Sequence, residues 1–152
     1  MTNNLKMTVE LQKISQAPDM PTLQNFELWV QVALEDPHHA VLIRLVDEIE
    51  SQQLNAQYRG KNNSTNVLSF PDHLPFEINP FIGDLVICAP LVSIEAKAQN
   101  KPISAHWAHL VIHGTLHLRG FDHIQAADAK IMENLEIQLL KKFNIPNPYE
   151  NH

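Results

Sequence analysis

Between Met7 and Ile14 polar and apolar residues alternate closely enough to predict a first strand. The period then lengthens: Leu23, Phe26, Val30 and Ala33 recur at helical spacing up to Glu35, with Thr22 as the expected N-cap and Pro37 as the stop. Val41 to Val46 is β-branched and apolar and reads as a strand, after which Asp47 is expected to cap a helix running to about Gln57. Val67 to Phe70 and Ile82 to Cys88 predict two more strands, separated by a loop carrying Pro71, Pro75 and Pro80. From Pro90 to Asn100, Ile103 to Arg119 and Ala126 to Phe143 the pattern is helical, the last helix ending before Pro146 and Pro148. These elements predict an α+β fold, an α/β-type sandwich in which about five helices surround a small mixed sheet of about four strands. The helix that begins at Ile103 is expected to pack on that sheet.

Composition narrows the picture without changing it. A chain of 152 residues with 44% hydrophobic and 18% charged residues suits a single domain over residues 1–152. Such a domain buries roughly two thirds of the surface its unfolded chain exposes. The one cysteine, Cys88, lies in an apolar run and is expected to be a reduced, buried thiol. No stretch has the apolar length of a signal peptide or a spanning helix, so the expected location is cytoplasmic, with no membrane partner. The net charge of −6 argues against binding nucleic acid through bulk electrostatics. Any such contact has to be local.

Five of the nine histidines fall between His106 and His123. His113 and His117 lie one helical turn apart on one face, close enough to share a metal ion, and Gly120 can end the helix in a left-handed turn that brings His123 back to the same point. This is the H-x-x-x-H-x-x-G-x-x-H spacing of the metzincin zinc proteases, in which three neutral imidazoles leave a fourth tetrahedral position open. One zinc per chain on His113, His117 and His123 is therefore expected. His106 and His109 share that helix face, and their expected roles are outer hydrogen bonds or satisfied core positions. The protease motif carries a glutamate general base directly after its first histidine, where this chain has Gly114. The nearest carboxylate in sequence, Asp122, is expected to orient an imidazole or cap the turn at least as readily as to act in catalysis.

Beyond the histidines, three blocks resemble the YbeY family of bacterial ribosomal RNA maturation factors. They are Tyr58-Arg59-Gly60-Lys61 leading into Thr65-Asn66-Val67-Leu68-Ser69-Phe70-Pro71, then Gly83-Asp84-Leu85-Val86-Ile87, then His106 through His123. Order and spacing agree from about Val41 to Tyr149. The resemblance implies a metal-dependent, single-strand-specific endoribonuclease acting at the 3′ end of small-subunit ribosomal RNA, partnered by the small ribosomal subunit and its quality control. It also implies that His113, His117 and His123 are the zinc ligands and that Arg59 contacts the substrate phosphate. The chain departs from the family pattern at Asn62 and Ser64, and at Arg119 and Phe121, which leaves the loop around Asn62 to Ser64 undefined.

Phosphodiester cleavage suits such a site, because zinc can polarise a phosphoryl oxygen while an arginine stabilises charge on the others, and RNA adds its own 2′-OH as an internal nucleophile. Arg59, Lys61 and Arg119 are the candidate substrate contacts, and Arg44 the weaker one. Phe70, Trp107 and Phe121 serve base stacking no better than core packing. Two alternatives stand beside the ribonuclease: a metzincin-like metallopeptidase, against which Gly114 weighs, and a zinc-stabilised ribosome assembly factor with no required catalysis.

Overall fold

The computed structural model describes residues 7–150 except His73, Phe76 and His123. Among these described residues four strands form one open mixed sheet in the order β1-β2-β4-β3: β1 Val9–Lys13, β2 Ala40–Val46, β3 Val67–Pro71 and β4 Phe81–Cys88. The pairs β1·β2 and β2·β4 are parallel, and β3 runs antiparallel to β4 as the outer strand. Five helices among the described residues complete the α+β fold: α1 Leu23–Leu34, α2 Glu48–Arg59, α3 Ala89–Ala98, α4 Ile103–Leu118 and α5 Ala126–Lys141. Every element expected from the pattern is present, each within a few residues of its expected ends.

The two faces of the sheet divide by the period of two along each strand. Val41, Ile43 and Leu45 of β2 and Leu85 and Ile87 of β4 point into the main core, which α1, α4 and α5 cover. Val46, Leu68 and Val86 point to the opposite face, into a smaller cluster with Leu54 of α2 and Phe70. The helix α4 is apolar most of the way round, as a central helix has to be. Trp107 meets Phe26 of α1 edge to face at 5.7 Å, so this indole belongs to the core and is closed to a nucleobase.

Local signals account for most helix ends. Thr22 and Asn25 make a reciprocal capping box at the start of α1. Asp47 occupies the N-cap position of α2, but its side chain makes no capping bond and instead accepts from Ser15 Oγ at 2.5 Å, tying the end of β1 to the start of α2. At the end of α4 the Phe121 N–H donates to the Leu116 carbonyl (3.1 Å) and the Gly120 N–H to that of His117 (2.9 Å), the paired bonds of a Schellman motif. Gly120 has φ +102°, a conformation open to glycine and strained for other residues. Gly114 is required for a different reason. A Cβ there would lie 2.8 Å from Leu85 Cδ2, so the missing side chain sets how closely α4 approaches β4.

Candidate active site

One stripe of α4 carries the histidines, with His106 buried and His109, His113 and His117 partly exposed. His113 and His117 face a cleft of about 590 Å³. Their rings sit 4.7 Å apart at 80°, as the spacing of four residues requires. The opposite wall is Thr65 to Phe70, which covers the outer strand β3, and the end of α2 supplies Tyr58 and Arg59. Tyr58 and Phe70 meet edge to face at 5.0 Å. The structure therefore brings Arg59, His113 and His117 to one cleft. His123 lies outside the described residues.

The loop between Arg59 and β3 is held by buried polar groups of α2. Ser51 Oγ donates to the Thr65 carbonyl (2.8 Å) and accepts from the Thr65 N–H (3.0 Å), while Asn55 Nδ2 donates to the Asn63 carbonyl (2.8 Å). Gln52 Nε2 donates to Asn62 Oδ1 at 3.1 Å. The loop around Asn62 to Ser64, undefined from sequence, is thus held by Ser51, Gln52 and Asn55, which fall within about one turn of α2. Gly60, with φ +70°, turns the chain out of the helix directly after Arg59.

Behind the cleft lies a carboxylate that the sequence pattern did not single out. Glu136 of α5 is completely buried, and its Oε1 accepts from His109 Nε2 (2.8 Å), His113 Nδ1 (3.2 Å) and Tyr149 Oη (2.8 Å). Burial works to raise its pKa, but the bonds from His109 and His113 outweigh that and hold it at about 2. Burial also pushes the His109 imidazole down, against the pull of the Glu136 carboxylate. Burial, with the same charge beside it, pushes the Tyr149 phenol up. His109, His113 and Glu136 together form a cluster able to hold a metal ion, their ligand atoms lying within 4.8 Å of one another. Glu136 occupies the apolar stripe of α5 with Met132, Leu139 and Leu140. A lone acid at a core position was the signal in the sequence.

The remaining candidates lie elsewhere. His106, also buried, bonds Glu95 Oε1 of α3 at 2.8 Å, and Asn66 at the head of β3 donates to the same oxygen at 3.0 Å. Arg119 donates to the Ala33 carbonyl (2.8 Å) and to Glu35 (3.3 Å) at the end of α1, with its guanidinium over Phe121. It does not line the cleft. Lys61 is exposed two residues past Arg59 and is not among the lining residues either. Arg44 is engaged by Glu50 and Gln12 on the α2 face of the sheet. Asp122 caps its own turn, accepting from the Ile124 N–H at 3.0 Å. Cys88 is a buried free thiol whose pKa burial pushes up.

Comparison with known proteins decides the lineage. The family model described as Endoribonuclease YbeY matches residues 9–144. The chain belongs to the YbeY family of endoribonucleases. It is therefore grouped with hydrolases. A YbeY endoribonuclease of Methylococcus capsulatus is 51% identical over 146 residues, covering 95% of each chain. The solution structure of TM1509 from Thermotoga maritima superposes with a TM-score of 0.58 at 24% identity, covering 94% of this chain and 97% of that one. That likeness supports the fold. Among the described residues, no helix is long and apolar enough to cross a membrane.

Proposed function

We propose that this YbeY-family chain is a zinc-dependent, single-strand-specific endoribonuclease, a single domain over residues 1–152 with one zinc on His113, His117 and His123. The observation that carries the reading is the setting of His113. Its Nδ1 faces the sealed Glu136 carboxylate, and its ring borders the same cleft as His117 and Arg59. A carboxylate behind a histidine fixes the ring's orientation and leaves the other nitrogen for a metal. Three neutral imidazoles are a donor set suited to zinc with an open position, and the glycine turn at Gly120 supports residue 123 as the third.

When bound, zinc supplies Lewis acidity toward a phosphoryl oxygen and a source of hydroxide near neutral pH. The chain's own groups do the rest. Arg59 grips the scissile phosphate with its planar fork, and charge developing on the non-bridging oxygens is stabilised there. Lys61 extends the positive charge along the path of the strand, and Arg119 near Phe121 is the outlying candidate for a further phosphate. Glu136 and His109 hold His113 in place from behind. The wall formed by β3 confines the nucleotide.

The substrate we propose is the 3′ end of small-subunit ribosomal RNA, with the small subunit and its quality control as partners in the cytoplasm. Family membership and the sequence blocks around Arg59 and Gly83 support it. A second reading is favoured by the His109, His113 and Glu136 cluster, which offers a partly buried metal site behind the cleft. Zinc content separates the two. Loss in the His117→Ala and His123→Ala variants with retention in His109→Ala supports the cleft site, and the reverse pattern supports the partly buried one. For the activity itself, cleavage of single-stranded RNA that stops on chelation and returns with zinc is expected, and casein is expected to be left intact.

A further inference from the structure

The free edge of β3 forms a wall of the cleft, and the backbone bonds at its two ends fix which peptide groups face it. Cys88 N–H donates to the Asn66 carbonyl at 2.9 Å, and Asp72 N–H donates to the Ile82 carbonyl at 2.7 Å. Between them the register runs Val67↔Ile87, Leu68↔Val86, Ser69↔Leu85 and Phe70↔Asp84. Bonded residues recur at every second position of an antiparallel pair. Asn66, Leu68, Phe70 and Asp72 therefore turn their N–H and C=O groups toward β4, while Val67 and Ser69 turn theirs outward. Among the described residues these outward groups have no hydrogen-bond partner. Val67 and Ser69 line the cleft with Arg59, His113 and His117.

We infer that the outward peptide groups of Val67 and Ser69 pair with the Watson–Crick edge of a nucleobase next to the scissile phosphate, making the edge of β3 the element that requires RNA to be unpaired. The inference rests on the ribonuclease reading above and adds to it the origin of strand selectivity. Each outward residue offers one donor and one acceptor. The Watson–Crick edge of an unpaired base is open to such pairing, whereas in a duplex it is already occupied. Such a wall tests whether a base is paired rather than which base it is. A volume of about 590 Å³ lies in the range of a small-molecule pocket and leaves room for a nucleotide. An extended peptide is the other natural occupant of a free strand edge. The arginine in the cleft, the absent glutamate at Gly114 and the family favour RNA.

The test compares zinc-loaded protein on oligouridylate and on oligo(N3-methyluridylate), whose backbone charge is the same but whose Watson–Crick edge is blocked. Oligoadenylate and its N1-methyl form make the second pair. The expected result is that wild type cleaves each unmodified polymer about five- to tenfold faster than its methylated form, the worth of a net hydrogen bond. Ser69→Pro removes one outward N–H without touching the β3·β4 ladder, as proline is tolerated on an edge strand. It should slow cleavage of oligouridylate and narrow the ratio between the two polymers. Equal rates on both members of each pair overturn the inference with wild type alone, whether or not the variant folds. A folded Ser69→Pro protein that keeps the full wild-type ratio overturns it as well. If wild type cleaves neither polymer, the ribonuclease reading fails and this inference with it. Turnover of casein in that case assigns the edge to peptide.

Discussion

At the residue scale the proposed site turns on two side chains. Arg59 is the cation that lines the cleft beside His113 and His117. Arg59→Glu should lower the rate on single-stranded RNA about a hundredfold or more, the worth of one preorganised donor. Arg59→Lys should also lose activity, because an ammonium lacks the two-pronged contact to phosphate. Zinc content and melting temperature should hold in both, and wild-type rates in both would remove the phosphate-binding role. Glu136→Gln exchanges the ionised carboxylate behind His113 for a weaker acceptor, and metal affinity should fall about 10- to 100-fold by competition against a chelator. Unchanged affinity would show that Glu136 serves packing alone. The two residues differ in how legible they were. Arg59 sits in a sequence block that resembles a family, whereas Glu136 reaches His113 across 23 residues from another helix. Nothing local in its sequence names that partner. Only its place on the apolar stripe of α5 marks it as unusual.

At the element scale the histidine helix shows both the reach and the limit of pattern. Helical spacing and the turn glycine placed His113 and His117 together and predicted the Gly120 turn, because these are properties of one helix. Gly114 could be read only as a missing base. The structure gives it a reason, since α4 approaches β4 so closely that a Cβ would press on buried Leu85. Gly114→Ala should destabilise the fold by about 1–3 kcal/mol through overpacking, with partial offset from helix propensity. Gly114→Glu should cost more, since it buries a carboxylate against the sheet, and it should not create a peptidase. Denaturant melts check both, and an alanine variant as stable as wild type would contradict the packing account. A second element-level link joins β3 to α3 and α4 through Glu95, which bonds both Asn66 and His106. Burial works to raise this carboxyl, but the bonds from His106 and Asn66 prevail and hold its pKa below the usual 4.5. A lowered carboxylate pKa contributes stability that is present above about pH 4.5 and is lost as pH falls through the folded value. Melting temperature should therefore drop less steeply below pH 4.5 in Glu95→Gln than in wild type. Parallel acid limbs would mean that Glu95 adds nothing to acid stability.

At the scale of the whole molecule an acidic chain surrounds one cleft with a local cation, two histidines and a free strand edge. The strand and helix order was legible because each element carries its own period and its own stops. The assembly of the cleft was less so, since it depends on Ser51, Gln52 and Asn55 of α2 holding residues 62–65 against β3, contacts between segments that no period announces. The family gives this arrangement a reaction class, and the central claim is that the reaction runs on a metal held at the open side of α4. The most direct test measures zinc content and single-stranded RNA cleavage together for wild type, His113→Ala, His117→Ala and His123→Ala, each before and after chelation. The account predicts about one zinc per wild-type chain, cleavage that is lost on chelation, and loss of both metal and cleavage in all three variants. Full cleavage by chelated protein, or undiminished zinc in two of the three variants, would contradict it.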